Sequence, residues 1–295
     1  MEDEGPIDYD LDAINLDIKI FGVTFMNFSF QFIPLTSSPK EPSTQRLLPK
    51  SFQIITWNLL APCWKRTSYG RESDNQNEWE ERLMRSIKVI LEKDVDIICL
   101  QELWFDDLYL KIFTEAISDS FVMYSLKRVH NKPDGLAILL RKGLFPSPKS
   151  FGIDFQDFGS RVGLMLVWDS FSLLNTHLTF PHNNAYDSKL RMSQVRNIQS
   201  VLEEHSVEHH VVIGDFNGSI YDEAVSTLME SAKLYPMIEH SNFMTHISHR
   251  GDEMACDLIL SNRNIFSDVC VSPIELSLSD HCIVQAKLHV SKEKG

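Results

Sequence analysis

The stretch FQIITWNLL, residues 52–60, predicts a buried strand that ends in a polar side chain, Asn58. Its β-branched and aromatic residues favour a strand. The same arrangement recurs along the chain, where acids, amides and histidines stand at the ends of hydrophobic strands: Glu102, His177, Asp215, Asn217, Asp257, Asp280 and His281. One such residue is usually a turn or a helix cap. Six strand ends of this kind in one chain favour a shared function instead.

The segments between these positions predict helices that alternate with runs of adjacent strands. Apolar residues at helical spacing predict helices over 77–94, 188–204 and 221–231. Strands are expected over 121–126, 135–141, 162–168 and 171–178, with no room for helices between them. This pattern predicts an α/β fold, a four-layered α/β sandwich in which two mixed β-sheets pack face to face with helices outside. Strand ends on one rim of such a sandwich converge, and ligand sites favour such rims.

Residues 1–50 differ from the rest of the chain. An acidic start is followed by a segment rich in Phe and Ile, 18–32, and then by a stretch rich in Ser, Pro and Thr, 34–49, that is typical of a linker. The Phe-rich segment is interpreted either as an extra edge strand or hairpin, or as a poorly ordered extension. We predict an N-terminal extension and linker over 1–50 and one folded domain over 51–295.

Charge and composition narrow the possible partners. The chain has 28 Lys and Arg against 41 Asp and Glu, a net charge of −13. This acidic total disfavours a protein that grips duplex DNA without sequence preference, because phosphate neutralisation dominates that affinity. No apolar run approaches the ~20 residues that a bilayer span needs, and the acidic start is unlike a targeting peptide. We expect an intracellular protein, cytoplasmic or nuclear, with no transmembrane segment and no obligate protein partner.

The polar residues at the strand ends suit one kind of chemistry. Carboxylates and an Asn carbonyl form an oxygen-rich site of the type that Mg²⁺ or Mn²⁺ prefers, whereas zinc favours His and Cys. Two histidines remain to stabilise charge on a phosphoryl oxygen, and a further Asp remains to take a proton from water. Together these groups predict metal-assisted hydrolysis of a phosphate ester.

The ordered motifs resemble those of the endonuclease/exonuclease/phosphatase superfamily, the DNase I-like proteins. The matching motifs are TWN (56–58), LQE (100–102), NTHL (175–178), GDFN (214–217), the strand that begins at Asp257, and SDH (279–281). Each short motif is weak alone, but the ordered set is specific and covers residues 52–290. The resemblance implies a Mg²⁺-dependent hydrolase of phosphate esters, with 51–295 as its catalytic domain.

The resemblance also implies roles for the matched acids and amides. Glu102 would be the principal metal ligand, with Asn58 beside it and Asp280 completing the shell. Asp215 would orient or deprotonate the attacking water, and Asn217 would hold that water or a phosphate oxygen.

Two histidines complete the implied site. His281 would contact the scissile phosphate, held in its tautomer by Asp257. His177 would be a second phosphate-binding histidine, which some abasic-site endonucleases lack. Its presence favours the nuclease, sphingomyelinase, deadenylase and 5-phosphatase members of the superfamily.

Three further residues are candidate substrate contacts. Arg191 lies on the helix after His177, where it would reach a phosphate or lie on a solvated helix face. His246 and Arg250, with His249 between them, form a positive cluster before the Asp257 strand. The alternative for this cluster is an exposed basic turn.

Longer segments, such as "TWNLLAPCWKR" from residue 56 and "NTHLTFPHN" from residue 175, resemble a largely plant group of calcium-binding members whose chains carry EF-hands. No EF-hand loop is visible in this sequence, so calcium regulation is not expected. We predict a phosphodiesterase or nuclease. The alternatives are a phospholipid or inositol phosphate hydrolase, a phosphomonoesterase, and a non-catalytic binding protein on the same scaffold. The expected partner is a phosphate-ester substrate: nucleic acid, phospholipid or a soluble phosphate.

Overall fold

The structure, a computed structural model, describes residues 30–39, 47–182, 185–237, 243–248, 250–263 and 265–290. Its α-helices are α1 (Gln76–Glu92), α2 (Asp107–Ile117), α3 (Ala185–Glu204) and α4 (Glu223–Ser231). The strands are β1 (Gln31–Ile33), β2 (Ser51–Asn58), β3 (Arg66–Thr67), β4 (Gly70–Arg71), β5 (Ile97–Trp104), β6 (Phe121–Lys127), β7 (Asp134–Arg141), β8 (Lys149–Asp154), β9 (Val162–Val167), β10 (Phe171–His177), β11 (His209–Asp215), β12 (Tyr235–Pro236), β13 (His246–Ile247), β14 (Glu253–Met254), β15 (Asp257–Ser261), β16 (Phe266–Ser272) and β17 (Ile283–His289).

Two large mixed sheets organise these strands. The seven-stranded sheet has the order β1-β8-β9-β10-β11-β15-β12, and the six-stranded sheet has the order β16-β17-β2-β5-β7-β6. Near the middle of each sheet two strands run parallel, β10 with β11 and β2 with β5. Their other neighbours in the described chain pair antiparallel. The predicted pair of mixed sheets is therefore confirmed.

The alternation of side chains along the central strands explains the four layers. Ile54 and Ile213 face the core between the sheets, whereas their neighbours Ile55 and Val212 face outward. The outer face of the six-stranded sheet is covered by α1 and α2, and that of the seven-stranded sheet by α3 and α4. Strands that are buried on both faces give nearly continuous apolar runs in the sequence. These runs made the central strands predictable.

Sequence analysis predicted neither α2 nor β8. The signal for α2 was available, since Asp106 caps its N-terminus by accepting hydrogen bonds from the backbone of Leu108 and Tyr109. Its buried side chains, Tyr109, Phe113 and Ile117, recur every four residues. Additional apolar residues on the other faces of this helix obscured the period.

The described part of the N-terminal region contacts both sheets. Strand β1 pairs antiparallel with β8 at the edge of the seven-stranded sheet, so this end of the Phe-rich segment is an edge strand. Residue Ser37 exchanges backbone hydrogen bonds with Ser125 of β6 at 3.2 and 3.0 Å. The remainder of that segment, 18–29, and part of the predicted linker, 40–46, lie outside the described residues. None of the described helices has the length and apolar character that a bilayer crossing requires.

A buried polar network joins the two sheets just below one rim. Gln101 of β5 donates from Nε2 to Oδ1 of Asn175 in β10 at 2.8 Å. The amide of Asn175 donates in turn to the carbonyls of Leu100 and Ala137, both at 3.0 Å. A satisfied buried network of this kind allows few alternative alignments. It therefore sets the carboxyl ends of the two parallel strand pairs opposite each other.

Candidate active site

The carboxyl ends of the two parallel pairs meet at this rim. Asn58, the last residue of β2, donates from Nδ2 to Oδ2 of Asp215, the last residue of β11, at 3.0 Å. The approach of β11 to β10 requires glycine at position 214, where φ is +141° and a Cβ would lie 1.9 Å from the Thr176 carbonyl oxygen. One contact therefore links motifs that lie 157 residues apart in the sequence.

A backbone irregularity places Glu102 at the rim. The pairing of β5 with β7 shifts register between Gln101 and Leu103, so Glu102 is the extra residue of a β-bulge. Its φ is +54°, in the left-handed region that non-glycine residues rarely adopt. The bulge turns the carboxylate toward the loop after β2, where Oε2 accepts a hydrogen bond from Ala61 N at 3.0 Å.

Asp215 is the centre of the hydrogen-bond network. Besides Asn58, its carboxylate accepts a hydrogen bond from Asn217 N at 2.8 Å. Its Oδ2 lies 3.4 Å from Nε2 of His177 and 3.7 Å from Nε2 of His281. Burial raises the pKa of Asp215, but the positive charge of His281 and the hydrogen bonds from Asn217 and Asn58 outweigh burial and hold it below its usual range. The carboxylate is therefore ionised at neutral pH.

His281 forms a buried pair with Asp257. Its Nδ1 lies 2.8 Å from Oδ2 of Asp257, which leaves Nε2 directed toward Asp215. Burial lowers the pKa of His281, but the negative charges of Asp257, Asp215 and Asp280 raise it overall to about 10. His281 is thus an imidazolium whose Nε2–H faces the site.

His177, unlike His281, is neutral. The Nδ2 atom of Asn217 lies 2.9 Å from the Leu178 carbonyl oxygen and 3.0 Å from Nε2 of His177, so the amide can donate to both. Nε2 is then an acceptor and the ring is neutral. Burial, followed by the positive charge of Arg161, lowers the pKa of His177 well below its usual value.

On the acidic side of the rim, Asp280 lies near His246 and His281, but Glu102 has no ion-pair partner among the described residues. Burial and the negative charges of Asp134 and Asp280 raise the pKa of Glu102 to about 7. The Oδ1 atom of Asp280 is buried without a hydrogen-bond partner in the described structure. Two carboxylates that repel each other, an acceptor without a donor and the nearby Asn58 carbonyl fit a hard divalent cation. Glu102, Asp280 and Asn58 are thus the residues that could hold Mg²⁺ or Mn²⁺.

Of the predicted substrate contacts, His246 lies beside the site. Its ring stacks on that of His281 with centroids 4.4 Å apart, and its Nε2 is 3.6 Å from Oδ2 of Asp280. Arg250 is exposed in the turn between β13 and β14, and its backbone N–H donates to Ser248 Oγ at 3.2 Å. His249 lies outside the described residues.

Arg191 does not lie where sequence analysis expected it. The side chain is buried in α3 rather than on a solvated face. It donates to the carbonyls of Thr179 and Phe216 at 2.6 and 2.8 Å and pairs with Asp222 at 2.6 Å. This placement does not support the predicted substrate contact. Arg191 instead supports the two loops that carry His177 and Asn217.

Sequence analysis missed a matching residue behind the acidic side. Arg82 of α1 is buried against Glu72 and donates to the carbonyls of Leu59, Leu60 and Leu278 at 2.7 to 2.8 Å. These carbonyls follow Asn58 and precede the SDH motif. The helical period placed Arg82 within an amphipathic helix, but only the packing of distant loops shows which acceptors it binds.

Comparisons with known proteins agree with this architecture. A model of the endonuclease/exonuclease/phosphatase family matches residues 55–281, more than three quarters of the chain. An uncharacterized calcium-binding protein of Arabidopsis thaliana is 28% identical in an alignment of 248 residues that covers 72% of this chain and 51% of that protein. The Ccr4 3′-5′-exoribonuclease subunit of the CCR4-Not complex of Neurospora crassa is 30% identical in an alignment of 103 residues that covers 33% of this chain and 12% of that protein. The chain thus spans about half or less of the length of these relatives.

A solved structure shows the same fold. ANGEL2, a 2′,3′-cyclic phosphatase in complex with adenosine-2′,3′-vanadate, matches with a TM-score of 0.63 at 15% sequence identity. The match covers 88% of this chain and 98% of ANGEL2. The predicted four-layered, DNase I-like α/β sandwich is confirmed.

Proposed function

The chain belongs to the endonuclease/exonuclease/phosphatase family, whose members hydrolyse phosphate esters, and we propose that it is a Mg²⁺- or Mn²⁺-dependent phosphodiesterase that acts on single-stranded nucleic acid. One observation carries the proposal: the shared carboxylate of Asp215, which is in contact with Asn58 across the two sheets and with both histidines. This arrangement places an ionised acceptor between a neutral and a charged imidazole at one rim.

Each side chain has a role that follows from its partners. Asp215 accepts a hydrogen bond from the attacking water and orients it. Asn217 directs its amide toward the same space as His177. The imidazolium of His281 donates from Nε2 to a phosphate oxygen, because Asp257 occupies its Nδ1. A divalent ion held by Glu102, Asp280 and Asn58 would polarise the phosphoryl group.

Two observations favour nucleic acid among the phosphate esters. The relatives named above include an exoribonuclease and a phosphatase crystallised with an adenosine compound. Exposed aromatic rings also occur in segments close to His177. Phe180 follows His177 by three residues, and Phe158 precedes Gly159, which lies against Thr179. The Phe158 ring lies 6.4 Å from that of Tyr186 between centroids. Such rings stack unpaired bases. A cytoplasmic or nuclear location, as predicted from the sequence, fits an RNA substrate.

The test is a side-by-side assay of the purified protein with Mg²⁺, Mn²⁺ or EDTA. The substrates are single-stranded RNA and DNA oligonucleotides, adenosine 2′,3′-cyclic phosphate, sphingomyelin, inositol polyphosphates and p-nitrophenyl phosphate. We expect EDTA-sensitive cleavage of the oligonucleotides that weakens with ionic strength. Preferred hydrolysis of a lipid, an inositol phosphate or the monoester would replace the proposed substrate class. Absence of all hydrolysis, with no Mg²⁺ or Mn²⁺ binding at millimolar concentration in calorimetry, would favour a non-catalytic binding protein.

A further inference from the structure

A buried arginine beside His177 has no part in the site described so far. Arg161 directly precedes β9, the antiparallel neighbour of β10, and lines a small recess together with His177, Arg128 and Asp134. Its Nη1 atom is buried and has no hydrogen-bond partner in the described structure. A charged donor that is buried without an acceptor is strongly unfavourable. An unpartnered guanidinium nitrogen in a recess therefore indicates an anionic ligand.

The neighbouring Arg128 differs in this respect. It donates to Asp134 at 3.0 Å and to the carbonyls of Gly159 and Ser160 at 2.7 and 3.3 Å. Arg128 thus holds the loop that leads to Arg161, and it brings a second positive charge close to it. No interior acid pairs with Arg161 in the same way among the described residues. The recess is lined by two arginines, Arg128 and Arg161, and by one carboxylate, Asp134. Asp134 pairs with Arg128 and leaves Nη1 of Arg161 without a partner.

The charge states at the rim make Arg161 the cation on this side. The Asn217 amide donates to Nε2 of His177, so His177 is neutral and offers no positive charge. Burial, and then the charge of Arg128, lowers the pKa of Arg161 to about 10, so the guanidinium remains protonated at neutral pH. The carboxylates of Asp134, Glu102 and Asp215 partly oppose this lowering of the pKa of Arg161.

We propose that Arg161 donates from Nη1 to an oxygen of the substrate phosphate that binds beside His177. The inference rests on the proposed function and adds a substrate-binding residue to it. In this arrangement the phosphate contacts two cations, the imidazolium of His281 and the guanidinium of Arg161. His177 is then a neutral neighbour of the phosphate.

Two measurements on Arg161→Gln and Arg161→Lys test the proposal. The first is kcat/KM for bis-p-nitrophenyl phosphate, which we expect to fall about 10²-fold or more in Arg161→Gln, as on removal of a donor to a charged oxygen. The second is calorimetric titration of the Mg²⁺-containing protein with inorganic phosphate, which we expect to bind at least tenfold more weakly. Arg161→Lys keeps the positive charge but loses the planar guanidinium group with its several donors. The losses of kcat/KM and of phosphate affinity should therefore be smaller than in Arg161→Gln.

The matched control is Arg263→Gln. Arg263 lies beyond the end of β15 opposite to Asp257, is largely exposed and pairs with Glu208 at 3.5 Å. Both measurements should stay within twofold of the wild type. Added guanidinium ion should restore part of the activity of Arg161→Ala but not of Asp215→Asn, which a purely structural role of Arg161 would not produce.

The outcomes separate this inference from the proposed function. Wild-type hydrolysis that persists within twofold in Arg161→Gln, with unchanged phosphate binding, overturns the inference and leaves the function intact. Absence of hydrolysis in the wild type overturns the function, and the phosphate titration then decides the role of Arg161. If Arg161→Gln does not fold, Arg161→Lys decides, and wild-type phosphate affinity in that variant counts against the inference.

Discussion

The two halves of the rim both consist of polar side chains at strand ends, but they differ in how their carboxylates are paired. The acidic half comprises Asn58, Glu102 and Asp280, and the histidine half comprises His177, Asp215, Asn217, Asp257 and His281. In the histidine half the carboxylates face imidazoles, and the charge of His281 together with hydrogen bonds lowers the pKa of Asp215. In the acidic half burial, and then the neighbouring carboxylates of Asp134 and Asp280, raise the pKa of Glu102. The histidine half is held by its own charge pairs, whereas we propose that the acidic half is balanced by a bound divalent cation.

Behind each half lies a buried arginine with a similar structural role. Arg82, paired with Glu72, holds the backbone that follows Asn58 and precedes Asp280. Arg191, paired with Asp222, holds the loop before Asn217. Both halves thus have a buried arginine that holds their loops, but they differ in how many of their carboxylates have a positively charged partner. The supported loops fix the positions of Glu102 and Asp280, and the negative charge of these two acids favours a cation as the ligand.

The largest expected effect is on Asp215, which connects the two halves. Asp215→Asn removes the negative charge that faces both histidines and Asn58, and we expect kcat to fall about 10³-fold, within the range for loss of a positioned proton acceptor. Steady-state hydrolysis of bis-p-nitrophenyl phosphate measures the loss. Arg263→Gln is the control, and a loss below tenfold in Asp215→Asn would falsify its central role.

Glu102→Gln tests the difference between the halves most directly. We expect Mg²⁺ affinity to fall about 10²-fold, because the variant loses a charged oxygen ligand. The variant should also raise Tm in EDTA at pH 8, since it removes a carboxylate that burial and like charges disfavour. Calorimetry and thermal melts measure these changes. A lower Tm in EDTA, as expected for Asp215→Asn, would mean that the acidic half needs no cation.

The pH dependence of the metal-free protein follows from the same raised pKa. The carboxyl of Glu102 binds its proton more tightly in the folded state, with a pKa of about 7, than in the unfolded chain. The free energy of unfolding should therefore decrease as pH rises from about 4.5 to 7. Urea melts in EDTA across this window measure the slope, and Glu102→Gln should flatten it. If the free energy of unfolding of Glu102→Gln depends on pH as steeply as that of the wild type, groups other than Glu102 cause the dependence.

A smaller effect is expected at Asp257. The raised pKa of His281 contributes stability that is complete below pH ~6.5 and is lost as pH rises through about 10. Asp257→Asn removes the largest cause of that shift, so the alkaline limb of the kcat profile should move down by at least one pH unit. At pH 7 we expect about a tenfold loss, because Asp257 no longer fixes the tautomer and orientation of His281. An unmoved alkaline limb would show that His281 is not the group that titrates there.

The smallest change in activity is expected at Arg191. Arg191→Lys breaks the bidentate support of two carbonyls, which should lower the free energy of unfolding by about 2 kcal/mol. Activity of the folded fraction at 25 °C should fall only a few-fold. Chemical denaturation and kinetics on the same sample measure both. A loss of activity as large as in Asp215→Asn would return Arg191 to the substrate-binding role predicted from the sequence.

The type and order of many helices and strands could be predicted from the local pattern of apolar residues. The apolar runs of β2, β5 and β11 are buried on both faces, and α1 has a clear helical period, so their type and order could be predicted. The bulge at Glu102 and the inward turn of Arg191 could not be, because both depend on partners in distant segments. The sequence placed Arg191 only on a helix, whereas the carbonyls of Thr179 and Phe216 determine which way it points.

The residue types at the strand ends were set in the sequence: oxygen ligands, two histidines and an acid that pairs with one of them. Local pattern could place each of these groups at the end of a strand, since a strand's period depends on near neighbours. The charge state of each group was decided only in the folded chain. Both histidines lie near Asp215, but His281 is also paired with Asp257 and is charged, whereas His177 is buried near Arg161 and is neutral. These differences depend on residues that are distant in the sequence, so the sequence pattern alone does not predict them.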